Sequence, residues 1–297
     1  MKHKNVVVTG ANSGIGFQVA LRLASDGAKV VMACRNLEKG QAALNQIRDG
    51  VPDADVSLLR LDVSELASVR EFGEQLSQKV GSLDVLINNA GILGIPLTRN
   101  SAGHELQLAT NYLGAFALTG MLMPLFRREL PARIVNVGSL AHRFARLDVD
   151  DLNWERTQYD QWKAYARSKL AMLSFTLELD RCLRKHGSNT VALAAHPGFA
   201  STEIHKKSEA AFFKNGVHRW LQGKLEPLVP SAGEAARPII LAASAEHVRG
   251  GEYYGPSGFL EIAGEPGKAR VHPVANDLET GRRLWAASEA LTGVHYL

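Results

Sequence analysis

The stretch VVVTGANSGIG, residues 6–16, joins a short apolar run to the start of a helical pattern. Glycines allow the backbone to turn sharply and to approach a bound pyrophosphate closely. The helix that follows offers free N–H groups and the positive end of its dipole to phosphate oxygens. The spacing is G-x-x-x-G-x-G rather than the common G-x-G-x-x-G, so the turn alone is weak support for a nucleotide site. Its candidate nucleotide contacts are Gly10, Asn12, Ser13, Gly14, Ile15 and Gly16.

The rest of the chain alternates short apolar runs with longer helical patterns. Apolar runs without polar alternation indicate strands that are buried on both faces, as in a parallel sheet. The candidate strands are residues 6–9, 29–33, 56–59, 85–88, 134–137 and 190–195, and the candidate helices are about residues 15–25, a stretch after 64, and about 103–128, 159–185 and 278–291. This order predicts an α/β fold with a doubly wound parallel sheet of the Rossmann type.

We expect residues 1–297 to form a single domain, because α/β domains of this length are common. Residues 199–230 follow the sixth strand, mix apolar with basic residues, and are predicted to form a small lid over the open end of the sheet. The aromatic residues of this lid are Phe199, Phe212, Phe213 and Trp220. They favour a lipophilic carbonyl or alcohol as the substrate, although they can equally fill the lid's own core.

Composition argues against several classes of protein. The chain has 34 basic and 30 acidic residues and no clustered basic stripe, so we expect no nucleic-acid partner. Cys34 and Cys182 form no C-x-x-C pair, so we expect buried free thiols, a reducing compartment and no metal site. We expect neither a signal peptide before the first strand nor an apolar run of roughly 18 residues, and hence no membrane span and a cytoplasmic location.

Polar and small residues end two more of the predicted strands. Asp62-Val63 ends the third strand, where a carboxylate can meet an adenine amino group, and Asn88-Asn89-Ala90-Gly91 ends the fourth, where a ribose can pack closely. Ligands of open α/β sheets bind at the carboxyl ends of the strands, where the glycine turn also lies. Each feature alone fits a helix cap or a turn, but the three together favour a nucleotide site. The added candidate contacts are Asp62, Val63, Asn89, Ala90 and Gly91.

Arg35 follows the second strand, near the position where NAD-dependent enzymes usually carry an acidic residue for the ribose 2′-hydroxyl. A guanidinium matches the charge and the bidentate geometry of a 2′-phosphate. We therefore predict NADP(H) in preference to NAD(H), with Arg35 as a cofactor contact. The alternative interpretation is a solvated loop arginine.

Tyr165 and Lys169 lie four residues apart in a helical stretch, so they share one face of the helix. A free tyrosine has a pKa of about 10, and a nearby ammonium stabilises its phenolate. Such a pair alone is usually a chance match. Ser139 follows the fifth strand, where its hydroxyl can hydrogen-bond a substrate carbonyl oxygen. A serine hydrolase is disfavoured, because no G-x-S-x-G elbow surrounds Ser139.

Taken in this order, the motifs resemble those of the short-chain dehydrogenase/reductase family over about residues 5–202. Residues 33–36, 111–114 and 151–153 look most like its retinol-dehydrogenase-like branch. The resemblance implies that Tyr165 is the general acid/base, that Ser139 orients the carbonyl, and that Lys169 tunes the tyrosine and holds the cofactor ribose. The implied catalytic tetrad is Asn111, Ser139, Tyr165 and Lys169, with Asn111 supporting a water that relays protons.

The resemblance also implies that Pro197, Gly198 and Thr202 flank the nicotinamide, while His196 is expected to be structural. Members of the family commonly pair through their two long helices, so a homo-oligomer is possible. We therefore expect an NADP(H)-dependent oxidoreductase that moves a hydride between the nicotinamide and a carbonyl or alcohol carbon of a lipophilic small molecule. The alternatives are a redox-inactive NADP(H)-sensing protein and, less favoured, an isomerase or epimerase.

Overall fold

The computed structural model describes residues 1–199 and 230–297. The strands of the described residues are β1 (Asn5–Thr9), β2 (Lys29–Cys34), β3 (Val56–Arg60), β4 (Val85–Asn88), β5 (Ala132–Val137), β6 (Thr190–Ala195), β7 (Tyr253–Pro256) and β8 (Pro266–Lys268). They form one sheet in the order β3-β2-β1-β4-β5-β6-β7-β8. The pairs from β3 to β7 are parallel, and β7 pairs with β8 in the antiparallel direction. The strand order reverses between β1 and β4, which opens a crevice at their carboxyl ends.

Helices cover both faces of the sheet. They are α1 (Gly14–Ser25), α2 (Leu37–Gly50), α3 (Leu66–Lys79), α4 (Leu106–Leu125), α5 (Gln161–Lys185), α6 (Ala232–Ser244) and α7 (Leu278–Thr292). Successive side chains of a strand point to opposite faces. Val6 and Val8 of β1 therefore pack with α1, α2 and α6, whereas Val7 packs with α3, α4, α5 and α7. The core consists of these two apolar layers, one on each side of the sheet.

The predicted fold class, a doubly wound α/β sheet, is confirmed, and each of the six predicted strands lies within two residues of an observed one. Local sequence patterns do not predict α2, α6, β7 and β8. Strand β7 ends in Gly255-Pro256 and β8 begins with Pro266-Gly267, and such residues indicate turns when they are considered alone. An edge position makes them compatible with a strand. Cys34 is a buried free thiol as expected, but Cys182 is only half-buried.

Helix α4 corrects one expectation about membranes. By length and composition it is the one helix among the described residues that is long and apolar enough to cross a bilayer, whereas the sequence analysis found no such run. However, 67% of its apolar window is buried inside the protein. Tyr112 and Phe116 are fully buried between the sheet and the other helices of that face, which explains why the helix is apolar. The cytoplasmic location stays a prediction.

The C-terminal segment packs against both long helices, α4 and α5. Phe116 of α4 lies 5.3 Å from Trp285 and 5.1 Å from Tyr296 between ring centroids. Tyr112 and Ser288 share a hydrogen bond of 2.5 Å between their hydroxyl oxygens. This segment therefore covers part of the long-helix surface on which the expected pairing of subunits would depend. The oligomeric state stays a prediction.

Close packing of α4 on the loop after β3 sets one stability prediction. A Cβ atom at Gly114 would lie 1.9 Å from the carbonyl oxygen of Val63, so Gly114→Ala has to displace the helix. We expect the free energy of unfolding to fall by about 1–3 kcal/mol, as for other overpacked sites, when it is measured by urea denaturation.

The matched control is Gly50→Ala, at the end of α2, where an added Cβ would meet nothing within 4 Å. Because alanine favours helix more than glycine does, this change should leave stability equal or raise it by up to about 1 kcal/mol. An equal loss of stability in the two variants would contradict the packing role of Gly114.

Candidate active site

An open cleft of about 280 Å³ lies at the carboxyl ends of the central strands. It brings together nearly all the predicted site residues, from the glycine turn to Tyr165 and Lys169. The predicted residues that line it are Gly10, Asn12, Ser13, Gly14, Ile15, Gly16, Arg35, Asp62, Val63, Asn89, Ala90, Gly91, Ser139, Tyr165, Lys169, Pro197 and Gly198. Asn111 lies behind the wall rather than in it, and Thr202 lies outside the described residues.

The glycine turn is built for a close approach. Gly10 and Gly14 have φ of +67° and +55°, a region that side chains with a Cβ rarely adopt. A Cβ at Gly16 would lie 2.4 Å from both the Gly10 carbonyl oxygen and the Asn89 side-chain nitrogen. Ser13 occupies the N-cap of α1 and makes no side-chain cap bond, so the first N–H groups of the helix stay available to a ligand. This cradle fits a pyrophosphate.

Thr9 ties the glycine turn to the end of β4. Its hydroxyl oxygen accepts hydrogen bonds from the backbone N–H groups of Asn89 and Ala90, each at 2.9 Å. The Asn89 side chain donates in return to the Thr9 carbonyl oxygen at 2.8 Å. The turn and the segment after β4 therefore form one rigid floor. The sequence predicts Asn89 and Ala90 as site residues, but the structural role of Thr9 is visible only in the fold.

Arg35 and Asp62 lie side by side at one end of the cleft. The closest guanidinium nitrogen of Arg35 is 3.8 Å from an Asp62 carboxylate oxygen, and 69% of the Arg35 side chain is exposed. The other carboxylate oxygen of Asp62 accepts hydrogen bonds from the Ser64 backbone N–H and hydroxyl. Asp62 is therefore fixed, whereas Arg35 makes only a loose ion pair and has room to bind an added anion.

Ser139, Tyr165 and Lys169 converge at the other end. Helix α5 begins at Gln161 because the Asp160 side chain accepts hydrogen bonds from the N–H groups of its first turn, and this start sets the register of Tyr165 and Lys169. The Lys169 ammonium donates to the Val137 carbonyl oxygen at 2.9 Å and lies 5.9 Å from the centre of the Tyr165 ring.

The electrostatics of this group differ from the expectation. Burial raises the pKa of Tyr165, and a hydrogen bond with Ser139 lowers it in part. Burial also lowers the pKa of Lys169, to about 8. The four-residue spacing predicts instead that the ammonium lowers the pKa of the phenol. In this structure the loss of water is the largest cause of both shifts, because burial disfavours a charge of either sign.

Asn111 does not line the cleft but supports its wall through hydrogen bonds. It is fully buried in a π-helical stretch of α4, Ala109–Leu113, which turns its side chain toward the segment after β4. Its carboxamide oxygen accepts from the Ile92 N–H at 2.8 Å, and its amide donates to the Ile92 carbonyl and the Ser168 hydroxyl, each at 2.9 Å. Ser168 donates to the Tyr165 carbonyl oxygen at 2.7 Å. Asn111 thus links the wall of the cleft to the helix that carries Tyr165.

Several residues of the cleft were missed because they carry no reactive group. These additional lining residues are Ala33, Leu61, Ile92, Leu93, Thr110, Val137 and Gly138. Most of them are direct neighbours of a predicted residue, so adjacency to a strand end was the signal that could have found them. His196 is fully buried and shares a hydrogen bond of 3.0 Å with Glu261, which supports a structural rather than a basic role.

Comparison with known proteins identifies the family of this chain. The profile of the short chain dehydrogenase family matches residues 4–211. The chain belongs to this family. Retinol dehydrogenase 13 from Homo sapiens is 40% identical to this short-chain dehydrogenase over 98% of the chain and 85% of the relative. Retinol dehydrogenase 12 from Homo sapiens is 35% identical over 99% of the chain and 87% of the relative.

A solved structure is also similar to this short-chain dehydrogenase. The crystal structure of an uncharacterised protein from Mycobacterium paratuberculosis has a TM-score of 0.82 and 37% identity, and the match covers 100% of this chain and 96% of that one. The predicted resemblance to the retinol-dehydrogenase-like branch is therefore confirmed. This short-chain dehydrogenase is an oxidoreductase of that branch.

The buried ammonium of Lys169 is expected to make the free energy of unfolding depend on pH. A basic group whose folded pKa is lowered destabilises the fold while it is protonated, and the cost disappears as pH rises from about 8 through its unfolded value of about 10.5. Lys169→Met removes that cost but also leaves the Val137 carbonyl without its donor. We expect the cofactor-free variant to be more stable than wild type by roughly 2 kcal/mol at neutral pH, in urea denaturation.

The difference between Lys169→Met and wild type should shrink as the pH is raised to about 10. Lys163→Met, at an exposed position on the same helix, is the matched control and should change stability little at either pH. If Lys169→Met is less stable than wild type at neutral pH, the buried charge of Lys169 does not destabilise the fold and the prediction is wrong.

Proposed function

We propose that this short-chain dehydrogenase is an NADP(H)-dependent oxidoreductase that moves a hydride between the nicotinamide and the carbonyl or alcohol carbon of a lipophilic small molecule. One observation carries the proposal: Ser139, Tyr165 and Lys169 converge at one end of a cleft whose other end holds Arg35 and the glycine turn. The names of the relatives, retinol dehydrogenases, refer to a lipophilic alcohol and support the same class of substrate.

Tyr165 and Ser139 provide the proton chemistry. The reduced nicotinamide, when bound, supplies the hydride for the carbonyl carbon. In reduction the Tyr165 phenol donates its proton to the carbonyl oxygen as negative charge develops there, and the Ser139 hydroxyl donates a hydrogen bond to the same oxygen. In oxidation the phenol oxygen accepts the proton of the alcohol. Burial raises the pKa of Tyr165, which keeps the phenol protonated near neutral pH and suits it to donation.

The cofactor is proposed to lie along the floor of the cleft. The glycine turn and the first turn of α1 would hold its pyrophosphate, and Lys169 would hold the ribose nearest the reaction. Arg35 would bind the 2′-phosphate, because it is largely exposed and is paired only loosely with Asp62. A phosphate dianion forms stronger, bidentate bonds with a guanidinium than a carboxylate at 3.8 Å does.

Exposed apolar side chains support a lipophilic substrate. Phe144 ends the short helix that follows Ser139 and is 87% exposed. Phe259 and Leu260, in the loop between β7 and β8, are 82% and 59% exposed. Arg143 joins the two loops by donating to the Leu260 carbonyl oxygen at 3.1 Å. These side chains therefore lie on loops next to the catalytic end of the cleft, where an apolar substrate would gain from contact with them.

Tyr165→Phe tests the chemistry. The change removes only the hydroxyl, so NADPH affinity should stay within about twofold while turnover of aldehydes, ketones and quinones falls by about 10²–10⁴, the usual contribution of a general acid. NADPH oxidation is followed by absorbance, and NADPH affinity by nucleotide fluorescence.

Tyr296→Phe is the matched control, because the Tyr296 hydroxyl is buried without a hydrogen-bond partner among the described residues. It should keep wild-type turnover. Full activity of Tyr165→Phe would overturn the mechanism, and tight NADPH binding without turnover in the wild-type chain would favour a redox-inactive sensing protein.

Arg35→Ala tests the choice of cofactor. Loss of a charge-assisted bond to the 2′-phosphate should weaken NADPH binding by about 10- to 100-fold, whereas NADH binding should change little. Arg22→Ala is the matched control, since Arg22 is also an exposed arginine but pairs with Asp26 and does not line the cleft. Unchanged NADPH affinity in Arg35→Ala would refute the assignment of the 2′-phosphate to Arg35.

A further inference from the structure

The carboxylate of Glu261 lies between the two loops that flank Tyr165. Glu261 belongs to the loop that joins β7 to β8, and the residue is 9% exposed. One of its oxygens accepts a hydrogen bond from His196 Nε2 at 3.0 Å and lies 2.5 Å from a guanidinium nitrogen of Arg143. The other oxygen accepts from the Arg270 backbone N–H at 3.2 Å. One buried carboxylate therefore contacts three separate segments of the chain.

The first contact leads to the segment Pro197-Gly198, which lines the cleft. His196 Nδ1 accepts a hydrogen bond from the Gly198 N–H at 3.1 Å, so the ring proton lies on Nε2 and points at Glu261. Burial lowers the pKa of His196 to about 4, so the ring is neutral near pH 7. A neutral imidazole with both nitrogens bonded holds the segment at a fixed distance from the carboxylate.

The second contact leads to Ser139. Arg143 lies in the short helix Leu140–Phe144, directly after Ser139, and pairs with both the Glu261 carboxylate and the Leu260 carbonyl oxygen. His142 of the same helix donates from Nδ1 to the Ser139 carbonyl oxygen at 2.6 Å. The turn that presents the Ser139 hydroxyl is therefore braced on the same loop as Pro197-Gly198.

The backbone of the β7–β8 loop is strained at this point. Leu260 and Glu261 have φ of +51° and +60°, in the left-handed region that residues other than glycine rarely adopt. The conformation is held from both sides, because the Leu260 carbonyl accepts from Arg143 and the Ile262 carbonyl accepts from the Phe199 N–H at 3.0 Å. Backbone strain that surrounding contacts maintain is typical of functional sites rather than of ordinary loops.

We propose that Glu261 is a positioning residue that sets the spacing between the Ser139 hydroxyl and the nicotinamide pocket at Pro197-Gly198. The proposal rests on the proposed function. Through Arg143 the carboxylate orients the hydroxyl that polarises the carbonyl, and through His196 it orients the backbone beside the nicotinamide. Small displacements of either loop change the reaction geometry, and such misplacement lowers rates steeply.

Glu261 makes two connections, which we call its arms: one through Arg143 to the Ser139 turn and one through His196 to Pro197-Gly198. Three variants separate these two arms. Arg143→Met removes the pairing of the Ser139 turn with Glu261 and should lower kcat at least tenfold while the Kd for NADPH stays within twofold. Glu261→Ala removes both arms and should lower kcat at least tenfold and also raise the Kd for NADPH at least fivefold. Glu261→Gln keeps an acceptor for His196 and loses the charge, so it should restore the Kd but not kcat.

The matched control is Glu265→Gln, which weakens the ion pair of Glu265 with Arg237 at the base of the same loop and touches neither arm. It should keep wild-type kcat and Kd. The proposal is overturned if Arg143→Met and Glu261→Gln keep the wild-type kcat and Glu261→Ala keeps the wild-type Kd for NADPH. A fall in the melting temperature alone would then show that Glu261 is merely structural.

Hydrogen exchange of the cofactor-free variants tests the connections independently of the proposed function. Amides of residues 139–144 should exchange faster in Arg143→Met, and those of residues 196–199 should also exchange faster in Glu261→Ala. Unchanged exchange in both segments would refute the connections themselves. If wild type neither binds nor oxidises NADPH but the exchange pattern appears as expected, the proposed function fails and the two-armed contact of Glu261 is retained.

Discussion

The hydroxyl of Thr9 holds together the two strands between which the order of the sheet reverses. It accepts hydrogen bonds from two backbone N–H groups of the segment after β4, and the Asn89 side chain donates a hydrogen bond to the Thr9 carbonyl oxygen at the end of β1. These hydrogen bonds hold the glycine turn close to the segment after β4. The two approach so closely that a Cβ atom at Gly16 would clash with the Asn89 side chain. The floor of the cleft, which Gly10, Asn89 and Ala90 line, therefore depends on this contact.

The end of the cleft that holds Tyr165 and Lys169 is arranged at a cost in stability. Lys169 and Tyr165 lie where burial disfavours their charged forms, and the ammonium is satisfied by the Val137 carbonyl oxygen. The helix that carries both residues is well anchored. Helix α5 is capped by Asp160, and α7 packs along it. Buried titratable groups with shifted pKa values in a cleft are typical of functional sites, which is consistent with the role proposed for this pair.

Local sequence patterns predicted the elements that carry local signals. The apolar runs of β1 to β6 and the four-residue spacing of Tyr165 and Lys169 are visible without any knowledge of neighbours, because strand and helix periods act over a few residues. Strands β7 and β8 were missed because Gly255-Pro256 and Pro266-Gly267 form strands only through pairing at the sheet edge. The apolar character of α4 could be assigned to the core only after its partners were in place.

The sequence by itself determined the family and the glycine turn, and it singled out Arg35 and the candidate residues Ser139, Tyr165 and Lys169, since each follows from residue type and spacing. Tertiary structure alone decided the rest of the site. Asn111 lies in a π-helical stretch behind the cleft, and burial shifts the pKa values of Tyr165 and Lys169 because the fold removes water from both. The contact of Glu261 with His196 and Arg143 joins residues 65 and 118 positions apart in the chain, and no local pattern records a contact that only the folded sheet edge creates.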